Sequence, residues 1–202
     1  MKDFWNARYA EEDFAYGTEP NEFLQVQSAK MPAGRVLCIA EGEGRNAVYL
    51  AAQGYQVTAV DQSAVGLEKT RQLGKQHKVE IDTIEADLQD FNIQPGAWDG
   101  IVSISAHLPP AIRKKLHTQV VEGLKPGGVL ILEAYTPRQL EMPGTGGPPA
   151  TQIDMFMSLS ELTLELQGLD FILAQETERV FNEGKYHQGA GAVVQLVAIK
   201  TA

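Results

Sequence analysis

Two glycines and two aspartates carry the first chemical signal in this chain. In the stretch VLCIAEGEGRNAVYLAAQGYQVTAVDQS, which opens at Val36, Gly42 and Gly44 stand between an apolar run and a helical pattern, and Asp61 closes a second apolar run. Glycines in such a turn let the backbone come close to a ligand, and the helix N-terminus beside them offers free amide donors to polar or anionic groups. A carboxylate at the tip of the neighbouring strand can accept hydrogen bonds from both hydroxyls of a ribose. Asp87, just beyond a third strand-like segment, is placed to accept from the amino group of an adenine ring, and Leu88 offers an amide and an apolar surface to the same ring. Read as Gly42-x-Gly44-x-x-Ala47 with Asp61 17 residues beyond Gly44, the turn also matches a dinucleotide fingerprint.

The elements that must position these residues alternate in type. Val36 to Ala40 is a short run fit for a strand buried on both faces, and Arg45 to Gln53 places Ala47, Val48, Leu50 and Ala51 at helical spacing. Ser63 caps a helix running to Gln76, a strand covers Val79 to Glu85, AWDGIVSISA supplies a fourth strand, Pro110 to Gly123 a helix, and GGVLILEAY a fifth strand entered through LKPGG. Repeated strand and helix steps imply an α/β protein with a doubly wound parallel sheet. The Pro- and Gly-rich segment 136–154 follows the fifth strand, is long for a plain connection, and reads as a lid or substrate loop. A last helix covers Ser158 to Gln167, and Phe171 to Val180 and Ala192 to Lys200 form an antiparallel hairpin joined by NEGKYHQGAG. That hairpin, and the lack of later repeats for a second nucleotide half, favour S-adenosylmethionine over a dinucleotide; an NAD(P)-binding oxidoreductase stays as the alternative.

Composition bounds the rest. A length of 202 residues fits a single domain, with 44% hydrophobic and 21% charged residues as in ordinary globular proteins. The N-terminus MKDFWNARYAEEDF carries charges where a signal peptide needs an apolar segment, and no apolar run approaches the roughly 20 residues of a membrane span, so a cytoplasmic protein is expected. A net charge of −9 disfavours nucleic acid as a partner, and RKKLH from Arg113 reads as the solvated face of a helix. Cys38 is the only cysteine and the four histidines are scattered, so neither a disulfide nor a metal site is proposed.

With these motifs in place, the chain resembles the class I S-adenosylmethionine-dependent methyltransferases, and is most similar to the small bacterial group related to the tellurite-resistance and thiopurine methyltransferases. The similarity rests on FWNARYAEEDFAYGTEPNEFL, CIAEGEGRNAVYLA, VTAVDQS, LKPGG and YHQGAGAVVQLVAIK. It implies a three-layer Rossmann-like fold, with a seven-stranded sheet in the order 3-2-1-4-5-7-6, strand 7 antiparallel, and an N-terminal helical cover over residues 1–30. Cys38 stands where many members carry an acid, Ala40 where they carry the first glycine, and Glu41 where a cysteine is common. By the same resemblance Glu41, Gly42 and Gly44 line the methionine portion, with Glu41 facing its ammonium. Arg45 meets its carboxylate beside Asn46, Asp61 and Gln62 hold the ribose, Asp87 and Leu88 hold the adenine, and Tyr16 places an aromatic face near the sulfonium.

The end of the fourth strand, SISAHLPP, makes Ser103, Ile104 and His107 candidates beside the reacting centre, with His107 as a general base. His187 in the hairpin, beside Tyr186, has a weaker claim; His77 and His117 fall on helix surfaces, and Trp5 and Tyr9 read as a packing face. The expected function is methyl transfer to a small molecule, a soft nucleophile such as a thiol or metalloid being favoured, by a monomer or homodimer. A catalytically silent cofactor-binding protein of the same fold is a further alternative.

Overall fold

Alternate residues of the first strand point into two separate cores, and this sets the layering. Val36 and Cys38 pack with Phe23, Leu24, Leu50 and Leu67, whereas Leu37 and Ile39 pack with Leu116, Val120, Leu162 and Leu166. The structure, a computed structural model, describes residues 2–201; Met1 and Ala202, the ends of the expected domain, lie outside the described residues. Its elements are α1 Lys2–Tyr9, α2 Glu22–Gln27, β1 Arg35–Ile39, α3 Arg45–Ala52, β2 Gln56–Asp61, α4 Ala64–His77, β3 Asp82–Glu85, β4 Trp98–Ile104, α5 Pro110–Gly123, β5 Leu124–Tyr135, α6 Leu159–Glu165, β6 Leu169–Glu183 and β7 His187–Lys200. One sheet runs β3-β2-β1-β4-β5-β7-β6, parallel from β3 to β5, with β7 antiparallel to both neighbours. Helices α2, α3 and α4 cover one face, and α5 and α6 the other.

This is the sheet that the resemblance implied, and the strand order reverses between β1 and β4, where α/β folds hold ligands at the carboxyl ends of the strands. No described helix is long and apolar enough to cross a membrane. Ser63 caps α4 through Gly66 N, as the sequence marks, and Ser158, the first residue of the expected last helix, forms a capping box with Glu161 on α6.

Four expectations are corrected or refined. The third strand begins at Asp82, not Val79, because Lys78 ends α4 in a left-handed conformation (φ 59°) and the Val79 amide closes that turn on the Gly74 carbonyl at 2.9 Å. The hairpin is longer than expected: Asn182 pairs with Gln188 and Glu183 with His187, so most of NEGKYHQGAG is strand around a tight turn. RKKLH is a solvated face only at Lys114 and Lys115, since Arg113 and His117 are buried and both bond Glu165 of α6. Burial pushes the Glu165 carboxyl up, but hydrogen bonds from His117 and Arg113 outweigh it and hold the group at about 2. The segment 136–154 is not free along its length either: it contains helical turns at Pro137–Glu141 and Ala150–Met155, and Thr145 is bonded to Gln188 of β7 at 2.7 Å.

Candidate functional site

The carboxyl ends of β1, β2 and β4, with Asp87 and Leu88 beyond β3, open into one cavity of about 730 Å³. Ala40 and Glu41 follow β1, Asp61 and Gln62 end β2, and Ile104 to Leu108 follow β4. Trp5, Arg8 and Tyr9 of α1 and Tyr16 form its cover, and Thr145 to Pro149 with Tyr186 and His187 form the far wall. The chain thus brings Tyr16, Glu41, Arg45, Asn46, Asp61, Gln62, Asp87, Leu88, Ile104 and His107 to one place.

Each carboxylate there already does structural work with part of its capacity. Glu41 Oε1 accepts from the amides of Asn46 and Ala47 at 3.0 and 2.8 Å, capping α3 in place of a side chain at Gly44. Burial pushes its carboxyl up to about 7 against those amides and the nearby Arg45 guanidinium. Asp61 accepts from Gly42 N at 2.9 Å and Ser63 N at 2.8 Å, tying the turn after β1 to the turn after β2, and burial raises its carboxyl as well. A carboxylate has about four lone-pair sites, so both groups keep acceptor capacity toward the cavity. Asp87 is exposed and accepts from Gln89 N, while Asp90 does not line the cavity.

Several assignments change. Gly42 and Gly44 do not line the cavity: at φ 67° and 90° their bare Cα atoms admit other chain segments. A Cβ on Gly42 would stand 2.6 Å from Tyr9 Oη, and one on Gly44 2.6 Å from Thr70 Cγ2. Ser103 lies inside β4 and is absent from the wall, where Ser105 takes its place. Ala40 at φ 51° and Ser105 at φ 56° end the two strands on either side of the switch point, and both face the cavity. Such left-handed non-glycine residues cluster at functional sites.

Arg45 is not free for a ligand carboxylate; its Nη2 donates to Glu183 Oε2 at 2.8 Å in a buried ion pair. Glu183 also accepts from Arg179, Asn21 and His187, and these bonds hold its carboxyl well below the usual range although burial opposes them. Asn46 Oδ1 likewise accepts from Asn21 N, so both residues at the start of α3 anchor the N-terminal segment.

The general-base role expected of His107 fails on geometry. Nδ1 lies 3.0 Å from the Met155 carbonyl and Nε2 accepts from Tyr135 N at 3.2 Å, so the imidazole is neutral with both nitrogens taken. Burial drives its pKa down to about 4, in keeping with that state. His187 differs: Nδ1 donates to Glu183 Oε2 at 3.3 Å, and Nε2 has no partner among the described residues. Burial lowers its pKa too, so the ring is neutral near pH 7. The sequence carries one signal for this pair, a Glu and a His four apart across a hairpin turn. Arg8 and Ser105 are wall residues that the sequence reading missed, whereas Thr145 to Pro149 belong to the segment it reads as a lid or substrate loop.

A parallel sheet with a switch point between β1 and β4, an antiparallel seventh strand and acids beyond β1, β2 and β3 define the class I methyltransferase architecture. The sequence model of a family described as "Methyltransferase domain" matches residues 36–128. Carboxy-S-adenosyl-L-methionine synthase from Yersinia pestis is 34% identical over 83 residues, 40% of this chain and 31% of that protein, so the match spans under a third of that relative's length. Among solved structures, TehB from Haemophilus influenzae superposes with TM-score 0.73 at 19% identity, covering 99% of this chain and 67% of that one. A TehB-like methyltransferase from Corynebacterium glutamicum gives 0.61 at 18% identity, covering 98% and 95%. A protein described by "Conversion of a Disulfide Bond into a Thioacetal Group during Echinomycin Biosynthesis" gives 0.75 at 16% identity, covering 100% and 92%. Residues 36–128 thus match a methyltransferase-domain model, and the fold over the whole chain is the one shared by the TehB and TehB-like structures. The antiparallel β7 is the hairpin on which the sequence favours S-adenosylmethionine over a dinucleotide.

Proposed function

We propose that this chain transfers the methyl group of S-adenosylmethionine to a small, soft nucleophile such as a thiol or a reduced metalloid. The cavity fits the cofactor. Gln62 Oε1 is buried at its wall without a hydrogen-bond partner, an orphan acceptor that an adenine amino group or a ribose hydroxyl would satisfy. Asp61 is the ribose acceptor in this reading, Asp87 and Leu88 the adenine contacts, the second oxygen of Glu41 the partner of the ammonium, and Tyr16 the aromatic face near the sulfonium.

The sulfonium supplies an activated leaving group, so the protein's task is alignment, exclusion of water and removal of at most one proton. His107 contributes by shape: bridging Met155 O and Tyr135 N, it fixes the 150–155 turn against β5. His187 contributes the base. Glu183 holds its Nδ1–H, Nε2 has no partner among the described residues, and the residue lines the wall where Thr145 to Pro149 meet the hairpin. That free nitrogen is the observation that carries the reading, because a neutral imidazole matches a thiol proton better than that of an alcohol or amine. The protein described by disulfide-to-thioacetal conversion, which shares this fold, also acts on sulfur. The 145–152 segment closes the acceptor end as a lid. The acceptor is free in the cytoplasm rather than part of a nucleic acid, the chain carrying a net charge of −9.

The test is S-adenosylhomocysteine production across thiol, selenide, amine and hydroxyl acceptors. Thiol or selenide turnover is expected, with His187→Asn slowing it by roughly 10²-fold at pH 7 and far less at pH 9, where a thiol ionises unaided. Turnover of amines or hydroxyls alone would overturn the acceptor class. Cofactor binding with no turnover on any of them would make this a silent binding protein.

A further inference from the structure

Gln62 Oε1 is one orphan at the cavity, and the Tyr135 hydroxyl is a second, set just behind the wall. Tyr135 is the last residue of β5, 1% exposed, and its Oη has no hydrogen-bond partner among the described residues. A buried hydroxyl left unpaired is costly, and such a group points to a partner that the chain itself does not supply. Glycine separates it from the cavity. Gly146 lines the cavity, and a Cβ there would run into Tyr135 Oη and Cζ; one on Gly147 would stand 2.9 Å from Phe156 Cε1 and 3.2 Å from Tyr135 Cβ. The two glycines thus lie on Tyr135 and Phe156, which with Phe181 form a small aromatic cluster. His187 stands beside it, its ring edge-on to Tyr135 with centroids 5.3 Å apart.

At 1% exposure the hydroxyl meets a ligand only when this cover moves, and the cover is built to turn. Thr145 is held by two backbone bonds with Gln188, at 2.7 and 3.2 Å, and the helical turn from Ala150 begins with Gln152 N on the Pro149 carbonyl at 2.8 Å. Between these anchors Gly146, Gly147 and Pro148 make no hydrogen bond among the described residues. With φ of 148° and 79°, both glycines occupy backbone space open to glycine, so each can swing widely, while Pro148 and Pro149 move as a stiff unit. We propose that this segment turns at its two glycines to uncover Tyr135 Oη, which then donates a hydrogen bond to the nucleophilic atom of the methyl acceptor beside His187. The assignment rests on the methyl-transfer reading above. Burial, with the Glu183 carboxylate nearby, pushes the phenol well up, so it is a donor and not a base. For a thiol the bonds balance. Its proton goes to His187 Nε2, its sulfur bonds the methyl carbon, and the bond from methyl to sulfonium breaks with its electron pair left on the cofactor sulfur. One donor beside one acceptor selects an atom that carries both a hydrogen and a lone pair, as a thiol does, over a carboxylate or a tertiary amine.

Tyr135→Phe removes the hydroxyl alone, and S-adenosylhomocysteine production from thiophenol and from 2-mercaptoethanol reads its role. With both thiols kcat/KM should fall by roughly 10-fold, the scale of one hydrogen bond to a charged atom, while S-adenosylhomocysteine binds within about twofold by calorimetry. The loss should persist at pH 9, because a thiolate still accepts from the hydroxyl; the loss in His187→Asn shrinks there. Tm should rise or fall by less than about 4 °C, since no bond is removed from the ligand-free protein. A larger fall would give the hydroxyl a fixed partner within the chain and overturn the proposal. Cofactor binding that weakens as much as kcat/KM falls would make Tyr135 a packing residue and overturn it too. Thiol turnover that Tyr135→Phe leaves intact would overturn the proposal alone, whereas wild-type protein that binds S-adenosylhomocysteine but forms none from either thiol would overturn the soft-nucleophile reading and the proposal with it.

Discussion

Replacing Glu183 by Gln tests whether the charge network behind the cavity wall is as closed as the structure shows. Glu183 is 7% exposed and accepts from Arg45, Arg179, Asn21 and His187. Arg179 keeps Glu133 at 2.7 Å in the variant, but Arg45 keeps only the Glu19 carbonyl at 3.4 Å. One buried guanidinium is thus left uncompensated, a change that typically costs about 3–5 kcal/mol. For a protein of this length each kcal/mol moves Tm by roughly 2–4 °C, so Glu183→Gln should lower it by about 6–20 °C. Urea unfolding gives the free energy directly, and Arg45→Met with Glu183→Gln completes a double-mutant cycle. The double variant should lose clearly less than the sum of the single losses, because it has no orphaned charge. A single-variant loss below about 1 kcal/mol, or additive losses, would mean that solvent reaches Arg45 and would refute the closed network.

Three further outcomes follow from the same geometry. Gly42→Ala, which combines φ 67° with a Cβ 2.6 Å from Tyr9 Oη, should cost more than about 2 kcal/mol and loosen α1, read as faster amide exchange over residues 2–9. Glu41, at about 7 when no ammonium faces it, must ionise to bind one; S-adenosylhomocysteine affinity should rise with pH up to about 7 and then level off, and Glu41→Gln should flatten that dependence in a calorimetric pH series. Glu165, held at about 2 against an ordinary 4.5, and Glu183, also lowered, contribute stability that is full above about pH 5 and lost as pH falls toward 2; acid titration by circular dichroism should show this loss, reduced in Glu165→Gln.

Much of the fold was legible because hydrophobic period and caps are local. The run Val36 to Ala40, the cap at Ser63, the Pro110 start of α5 and the Ser158 capping box each declare an element within a few residues, and α5 spans the predicted bounds. The edges failed where a backbone bond outside the pattern decided. Val79 looks like strand by composition, but its amide belongs to the end of α4. Arg113 and His117 look like solvent by type; their i, i+4 face is buried because Glu165, 48 residues beyond His117, comes from α6 to neutralise it.

The candidate site was legible in its acids and misread in its cations and glycines, for one physical reason. A carboxylate at a strand end is placed by the strand itself, so Asp61 and Glu41 reach the cavity whatever the rest of the chain does. A long cation goes to whichever acid is buried nearest, and for Arg45 that acid is Glu183, on a strand 138 residues away in the sequence. The glycines follow the same logic: Gly42 and Gly44 make room for Tyr9 and Thr70, partners that no window around the motif contains. The motif therefore acts at one remove from the cavity, by letting α1 and α4 close over the turn. This is how Arg8, far from the motif in sequence, comes to stand at the cavity it guards.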